Sequence, residues 1–324
     1  MIRIAMLSQW HVHANDYARQ VKEHPDTVIT AVWDEDPERG AAWAKVLNAA
    51  FEPDLDTLLA RGDVDAVVVD APTNLHGAVM VKAAMAGKHI FTEKVMALTL
   101  AECDAIAAAV QKTGVKFCIS FPHRIQPANL YVKKVLDEGL LGIPTLLRVR
   151  NAHDGASAGW LPEHFYDPAA CGGGAMMDLG AHPMYLSRWL MGAPVSVQST
   201  FHSMTGHQVE DNAVSVIKFE SGAIAIAETS LVSPNCPGTL ELYGTLGNVM
   251  VGGTENTVRL TSKMPGHETK GHVVIPAEQL PIALPSPICQ WLDAIRGNGG
   301  ILFGLEEGRQ LTELMVAAYD AFAG

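Results

Sequence analysis

The chain has 324 residues, 48% hydrophobic and 18% charged, with a formal net charge of -12. That length exceeds one ordinary core, so two domains are expected, and the acidic balance disfavours nucleic acid or an anionic membrane as partner because like charges repel. Five cysteines (Cys103, Cys118, Cys171, Cys236, Cys289) without any C-x-x-C spacing argue against a disulfide frame or zinc knuckle, and no segment reads as a signal core or membrane span, so a reducing cytoplasm is the expected setting.

From the N-terminus, short apolar runs alternate with helical patterns. Residues 2–7, 28–33, 66–69, 89–92 and 116–120 read as strands, and 17–22, 39–47, 55–60, 79–86 and 100–111 as helices. Continuous apolar strands separated by helices predict a doubly wound parallel sheet covered on both faces. The character changes after Phe121, where Pro122 and Pro127 bracket a break before a helix near 129–138. The expected domains are therefore 1–121 and 122–324. Beyond a helix that follows Gly172, alternating runs at 196–201, 213–219, 223–230, 238–243 and 247–251, with Gly-containing turns between them, predict an antiparallel sheet with hairpins. Residues 287–295 and 305–323 read as helices packing back toward the first domain.

The first strand leads to Ser8-Gln9-Trp10-His11-Val12-His13, where a dinucleotide fold usually carries G-x-G-x-x-G. The glycines are missing, but the placement survives: a helix N-terminus near Val12 still favours a diphosphate, with Ser8, Trp10, His11 and His13 as donors or packing. Asp34 ends the second strand, about where an acid accepts both ribose hydroxyls of an adenosine and repels a 2′-phosphate, which predicts NAD over NADP. Arg39 lies close enough to pull the other way. Glu93-Lys94 follows another apolar strand and so sits at the carboxyl edge of the sheet, although by itself such a pair also reads as a surface ion pair.

The stretch from Gly172 to His182 puts Asp178 and His182 four residues apart after a glycine run. A helix opening at Leu179 makes Asp178 its cap and puts His182 one turn on, facing the same way. Taken alone, the aspartate also reads as an ordinary cap and the histidine as a half-buried, satisfied one. Trp10, Trp160, His153, Asp154, His164 and Tyr166, with His76 and His123 near sheet edges, read as pocket wall able to address hydroxyls, or as ordinary packing.

In combination, Asn74-Leu75-His76, Ala86-Gly87-Lys88-His89-Ile90-Phe91-Thr92-Glu93-Lys94 and the glycine run with Asp178 and His182 resemble the glucose-fructose oxidoreductase, inositol dehydrogenase and rhizopine catabolism (Gfo/Idh/MocA) family. The resemblance extends to Asp211-Asn212 and the closing helix with Tyr319. It implies an N-terminal Rossmann domain and a C-terminal α+β domain with a large open, mostly antiparallel sheet, which is often the oligomer interface. Lys94, Asp178 and His182 correspond to the family's catalytic lysine, aspartate and histidine. The implied cofactor set is Ser8, Trp10, His11, His13, Asp34, Arg39, Ala71, Pro72, Thr73, Asn74, His76, Glu93, Lys94 and Arg124, and the implied substrate set is Lys94, His123, Trp160, His164, Asp178 and His182. Two further departures stand out: Val95 replaces a proline, removing an easy cis peptide beside the lysine, and Pro122 replaces an asparagine two residues before Arg124.

The activity so implied is NAD(P)-dependent hydride transfer to or from a secondary hydroxyl of a sugar, polyol or inositol-like substrate. A base titrating near neutral pH must take the hydroxyl proton, which suits His182 with Lys94 on the same oxygen, or the two in exchanged roles. An enzyme that retains NAD for elimination or epimerisation, and a non-catalytic nucleotide or sugar sensor, remain alternatives. No metal is expected, since neither H-x-x-x-H nor H-E-x-x-H occurs. A homodimer or homotetramer is expected, because a half-exposed sheet is costly to leave bare.

Overall fold

A computed structural model describes residues 1–323, which divide into two compact units, 1–120 with 285–312 and 121–284 with 313–323. In the first unit β1 (Ile2–Leu7), α1 (Ala14–Glu23), β2 (Thr27–Trp33), α2 (Pro37–Leu47), β3 (Ala50–Phe51), α3 (Leu55–Ala60), β4 (Ala66–Val69), α4 (His76–Met85), β5 (His89–Thr92), α5 (Leu100–Thr113) and β6 (Phe117–Ile119) follow one another. The strands pair in parallel in the order β3-β2-β1-β4-β5-β6. Every residue of β4 is buried, which is why it is continuously apolar, as a central parallel strand covered on both faces must be. Strand order reverses between β1 and β4, so the loops after these strands flank the crevice where such sheets bind ligands.

The helices start and stop on local chemistry. Asp36 caps α2 through the amides of Glu38 and Arg39, with Pro37 at its first position, and Thr99 and Glu102 form a reciprocal capping box on α5. Gly114 ends α5 with a left-handed φ of 72°.

The second unit begins with α6 (Pro127–Asp137) and β7 (Pro144–Ala152), continues through α7 (Pro168–Cys171) and α8 (Ala181–Met191), and then runs β8 (Pro194–His202), β9 (Asn212–Phe219), β10 (Ile224–Ser230), β11 (Thr239–Gly244), β12 (Gly247–Gly252), β13 (Thr257–Ser262) and β14 (Val273–Ile275). These strands form one sheet in the order β14-β13-β12-β11-β7-β10-β9-β8. Pairing is antiparallel except between β7 and β10, which run parallel. In β9 the alternation is strict: Ala213, Ser215, Ile217 and Phe219 are buried, whereas Val214 and Val216 on the other face are exposed.

The structure differs from the sequence reading in several elements, and β3, β13 and β14 are strands that reading did not include. β7, unrecognised there, is the centre of the second sheet. α9 (Pro287–Ile295) and the first part of α10 (Leu305–Ala323) belong to the first unit, which also begins the second unit at 121 rather than 122. Within it the Trp291 indole donates to the Lys116 carbonyl at 3.3 Å and the Ile119 amide to the Phe303 carbonyl at 2.9 Å. Finally, α8 opens at Ala181 with Gly180 at its N-cap, so Asp178 lies in the preceding turn and does not cap the helix. Among the described residues, no helix is long and apolar enough to cross a membrane.

Candidate functional site

The loop after β1 keeps the bend of a glycine turn without the glycine. Ser8 has φ 76°, a conformation that costs an L-residue roughly 1–2 kcal/mol. Local bonds offset that cost: Ser8 Oγ accepts the Trp10 amide at 3.0 Å and an Arg39 N–H at 3.3 Å. The Ser8 amide donates to the Trp33 carbonyl at 2.6 Å and the His11 amide to the Asp70 carbonyl at 3.1 Å, which ties the loop to the ends of β2 and β4. Trp10 and His11 are buried, while His13 sits at the start of α1 without capping it through its side chain.

Asp34 stands at the end of β2 as expected, but its carboxylate is already engaged. It accepts the amides of Gln9 (2.8 Å) and Asp36 (2.9 Å) and a two-pronged ion pair from Arg39 (3.0 and 2.5 Å). Arg39 also pairs with Glu35, whose carboxyl is raised by burial despite that cation. Two acids therefore outweigh the one arginine at this edge.

At the end of β5, Glu93 and Lys94 are buried rather than forming a surface pair. Glu93 accepts from the Lys94 amide (2.8 Å), from the Tyr17 hydroxyl, and from His13 Nδ1 (2.8 Å). Tyr17 Oη lies between Glu93 and Ser120 Oγ, 2.7 Å from the latter. Burial works to raise the Glu93 carboxyl, yet His11, His13 and Lys94 together hold it well below the usual carboxylate range. Tyr17 and Ser120 escaped the sequence reading because helix α1 and the end of β6 bring them to Glu93 from remote positions. The Lys94–Val95 peptide is cis although residue 95 is valine, so the substitution does not remove the cis bond.

His76, expected near cofactor, is instead a buried clamp: its two ring nitrogens lie 2.9 Å from the Val95 carbonyl and 3.0 Å from that of Ala71. It joins the loop carrying Lys94 to the loop after β4. Burial lowers its pKa, and the two carbonyls, which accept N–H from the ring, work in the opposite direction. In that second loop Ala71 and Pro72 are buried, and Thr73 and Asn74 reach toward the surface in a 3-10 turn.

In the second unit the glycine run is set by Glu210, a buried residue that sequence reasoning missed. Its carboxylate accepts the amides of Gly174 (3.0 Å) and Met176 (2.9 Å) and the Tyr319 hydroxyl (2.6 Å), while burial raises its pKa. A Cβ on Gly174 would lie 2.0 Å from the Glu210 carbonyl oxygen, so only glycine fits there. The resulting turn places Asp178, whose amide donates to the Gly174 carbonyl at 2.9 Å, just ahead of α8.

His182, on the first turn of α8, is buried, and its Nδ1 lies 2.9 Å from the hydroxyl of Tyr185 one turn on. Tyr185 Oη also accepts the His123 amide at 3.1 Å. The His123 ring stacks on that of His182 at 4.2 Å, and Tyr185 stacks on Phe121 at 4.3 Å. His123 and His182 thus lie together, with Tyr185 as the unforeseen partner, legible only as the i+3 neighbour on a helix. Arg124 lies with its guanidinium over the Trp189 ring at 5.0 Å.

The remaining pocket-wall candidates also lie in the second unit. Exposed Trp160 donates to Asp154 at 3.2 Å and packs on His153, Tyr166 is buried and stacked on His207 at 3.7 Å, and His164 lies beside Phe165.

Comparison with known proteins agrees with this architecture. A profile described as "Oxidoreductase family, NAD-binding Rossmann fold" matches residues 11–121, and one described as "GFO/IDH/MocA C-terminal domain" matches residues 129–250. The scyllo-inositol 2-dehydrogenase (NAD(+)) of Bacillus subtilis is 32% identical over 196 residues, 58% of this chain and 55% of that protein, so the match spans about half of the relative's length. The 2,7-anhydro-N-acetylneuraminate hydratase of Mediterraneibacter gnavus is 37% identical over 127 residues, 39% of this chain and 33% of its own. A levoglucosan dehydrogenase solved with NADH and L-sorbose superposes with a TM-score of 0.84 at 21% identity, covering 99% of this chain and 96% of its own, which is a likeness of fold.

Proposed function

The chain belongs to the Gfo/Idh/MocA family of oxidoreductases with an NAD-binding Rossmann domain, and from that footing we propose that it transfers a hydride between NAD and a secondary hydroxyl of a sugar, polyol or inositol-like compound. The observation that carries this reading is the buried His182, fixed by the Tyr185 hydroxyl at 2.9 Å and stacked on His123. NAD supplies the hydride acceptor.

Oxidation of a carbinol breaks its C–H and O–H bonds, and the hydroxyl proton needs a base. The His182–Tyr185 contact supports one tautomer for that role: Nδ1–H donates to Tyr185 Oη, which has two lone pairs and takes the His123 amide as well, and Nε2 is then the nitrogen that accepts the proton. From the resemblance alone, Lys94 is assigned the stabilisation of developing negative charge on a substrate oxygen, and Asp178 the orientation of the substrate. On the cofactor side, Ser8 preserves the bend of a glycine turn beside the crevice, which fits a diphosphate at the start of α1. Asp34 and Glu35 neutralise Arg39, which favours NAD over a 2′-phosphorylated cofactor.

Incubating the protein with NAD and a panel of inositols and sugars, while following nicotinamide absorbance, tests the reading. His182→Ala is expected to abolish turnover and leave the NAD dissociation constant within about threefold, whereas unimpaired turnover in both His182→Ala and Lys94→Ala ends the proposal. A second reading, transient oxidation with no net redox change, is favoured by the hydratase relative. It predicts product formation without accumulation of NADH. The exposed face of the second sheet, with Val214, Val216 and Ile224, supports association with a second copy of the chain.

A further inference from the structure

Where the glycine-rich turn would stand, among residues the sequence assigns to the cofactor, the first unit gathers a set of donors suited to a metal. His11 and His13 from the loop after β1, and Glu93 from the end of β5, each offer a ligand atom, and these atoms all lie within 4.8 Å of one another. The two imidazole rings are 4.8 Å apart, with His11 and Glu93 buried and His13 half-exposed. His13 Nδ1 lies 2.8 Å from Glu93 Oε1, so these two donors already meet at one point.

A second, independent observation lies directly behind this cluster. Asp70, at the end of β4, is fully buried, and neither carboxylate oxygen has a hydrogen-bond partner. Its backbone carbonyl accepts the His11 amide at 3.1 Å, and its carboxyl interacts electrostatically with both Glu93 and Tyr17. Buried polar atoms are almost always paired, and two orphaned carboxylate oxygens beside another carboxylate point to a missing cation.

We propose that His11, His13 and Glu93, backed by Asp70, form a binding site for a divalent transition-metal ion of the zinc class. Two imidazoles with carboxylates suit Zn2+, Co2+ or Ni2+ better than Mg2+ or Ca2+, which favour all-oxygen sets. Bonds of about 2.1 Å in a tetrahedral site hold donors about 3.4 Å apart, so the wider separations in the cluster close on binding while the His13–Glu93 contact at 2.8 Å opens to admit the ion. The His13 amide lies 3.2 Å from His11 Nδ1, so His11 binds through Nε2 after moving its proton to Nδ1 and giving up that contact. The half-exposed His13 is the entry side.

The ion would sit beside the loop proposed to hold the cofactor diphosphate, but the test of the proposal needs neither NAD nor sugar. Chelator-treated full-length protein is titrated with Co2+ and separately with Zn2+, following the visible ligand-field bands of Co2+ and the heat of Zn2+ binding. One saturable equivalent is expected, weakened more than tenfold in His11→Ala and in His13→Ala and several-fold in Asp70→Asn, with unchanged far-ultraviolet circular dichroism. If His11→Ala fails to fold, His13→Gln at the half-exposed position carries the comparison. Absence of saturable binding, or binding of equal affinity in the histidine variants, overturns the proposal, and turnover assayed in chelator separates that failure from failure of the dehydrogenase reading.

Discussion

Tyr185→Phe isolates the geometry on which the proton step rests. The hydroxyl lies 2.9 Å from His182 Nδ1 and 3.1 Å from the His123 amide nitrogen, while the ring stacks on Phe121. Phenylalanine keeps the stack and deletes both polar contacts. Each lost bond is worth about 0.5–1.5 kcal/mol net, and stranding the part-buried His123 amide adds to the penalty, so a loss of about 1–3 kcal/mol in stability is expected. The effect on turnover should be larger than stability alone dictates. Without an acceptor for Nδ1–H, the imidazole samples the other tautomer and other tilts, and misplacement on this scale costs on the order of 10- to 100-fold in kcat. Since Tyr185 is a positioning residue, KM should stay within about threefold. Steady-state rates at saturating NAD, with calorimetric melting of the same preparation, give both numbers. A folded Tyr185→Phe protein whose kcat lies within twofold of the parent would refute the reasoning, as would a change confined to KM.

Asp70→Asn should stabilise the metal-free protein. Burial, then the nearby Glu93, raise the Asp70 carboxyl well above its ordinary 3.8, so the folded state holds its proton more tightly than the unfolded chain. Stability of the parent therefore falls as pH rises from about 4 through the raised folded value, and the asparagine variant lacks that decline. Melting temperatures across pH 4–9 in the presence of chelator should show the gap widening upward, and parallel curves would contradict this. Gly174→Ala drives a methyl to within 2.0 Å of the Glu210 carbonyl oxygen, and overpacking of this kind costs about 1–3 kcal/mol. Thermal melting should show the drop, with turnover falling alongside because Asp178 sits on the same turn. Arg39→Ala leaves Asp34 and Glu35 uncompensated, so it should destabilise the protein and lower the NADP-to-NAD ratio of kcat/KM further, and a rise in that ratio would oppose the assignment of NAD.

The first unit was largely legible because its strands are buried on both faces and therefore spell themselves out as uninterrupted apolar runs, as in Ala66–Val69. β7 was not, since its alternation carries Arg148 and Arg150, which read as solvated until Glu228 on neighbouring β10 pairs with both. The start of α8 was placed two residues early because an aspartate before an apolar pattern looks like a cap, whereas Asp178 belongs to a turn organised by Glu210. Within the candidate site, residue types were readable and roles were not. His76 looks like a sheet-edge ligand until its nitrogens are found facing two backbone carbonyls, and Asp34 looks free until Arg39 and two amides occupy it. Such contacts join positions far apart along the chain, and no local spacing encodes them.

The left-handed Ser8 carries a lesson for searching and for redesign. A letter pattern built on glycines passes over this loop, whereas a query written in dihedral angles would retrieve it, because the chain has exchanged the residue and kept the torsion. Ser8→Gly should accordingly be accepted without any rerouting of the backbone, which makes position 8 the natural first step for grafting a conventional phosphate-gripping sequence onto this scaffold.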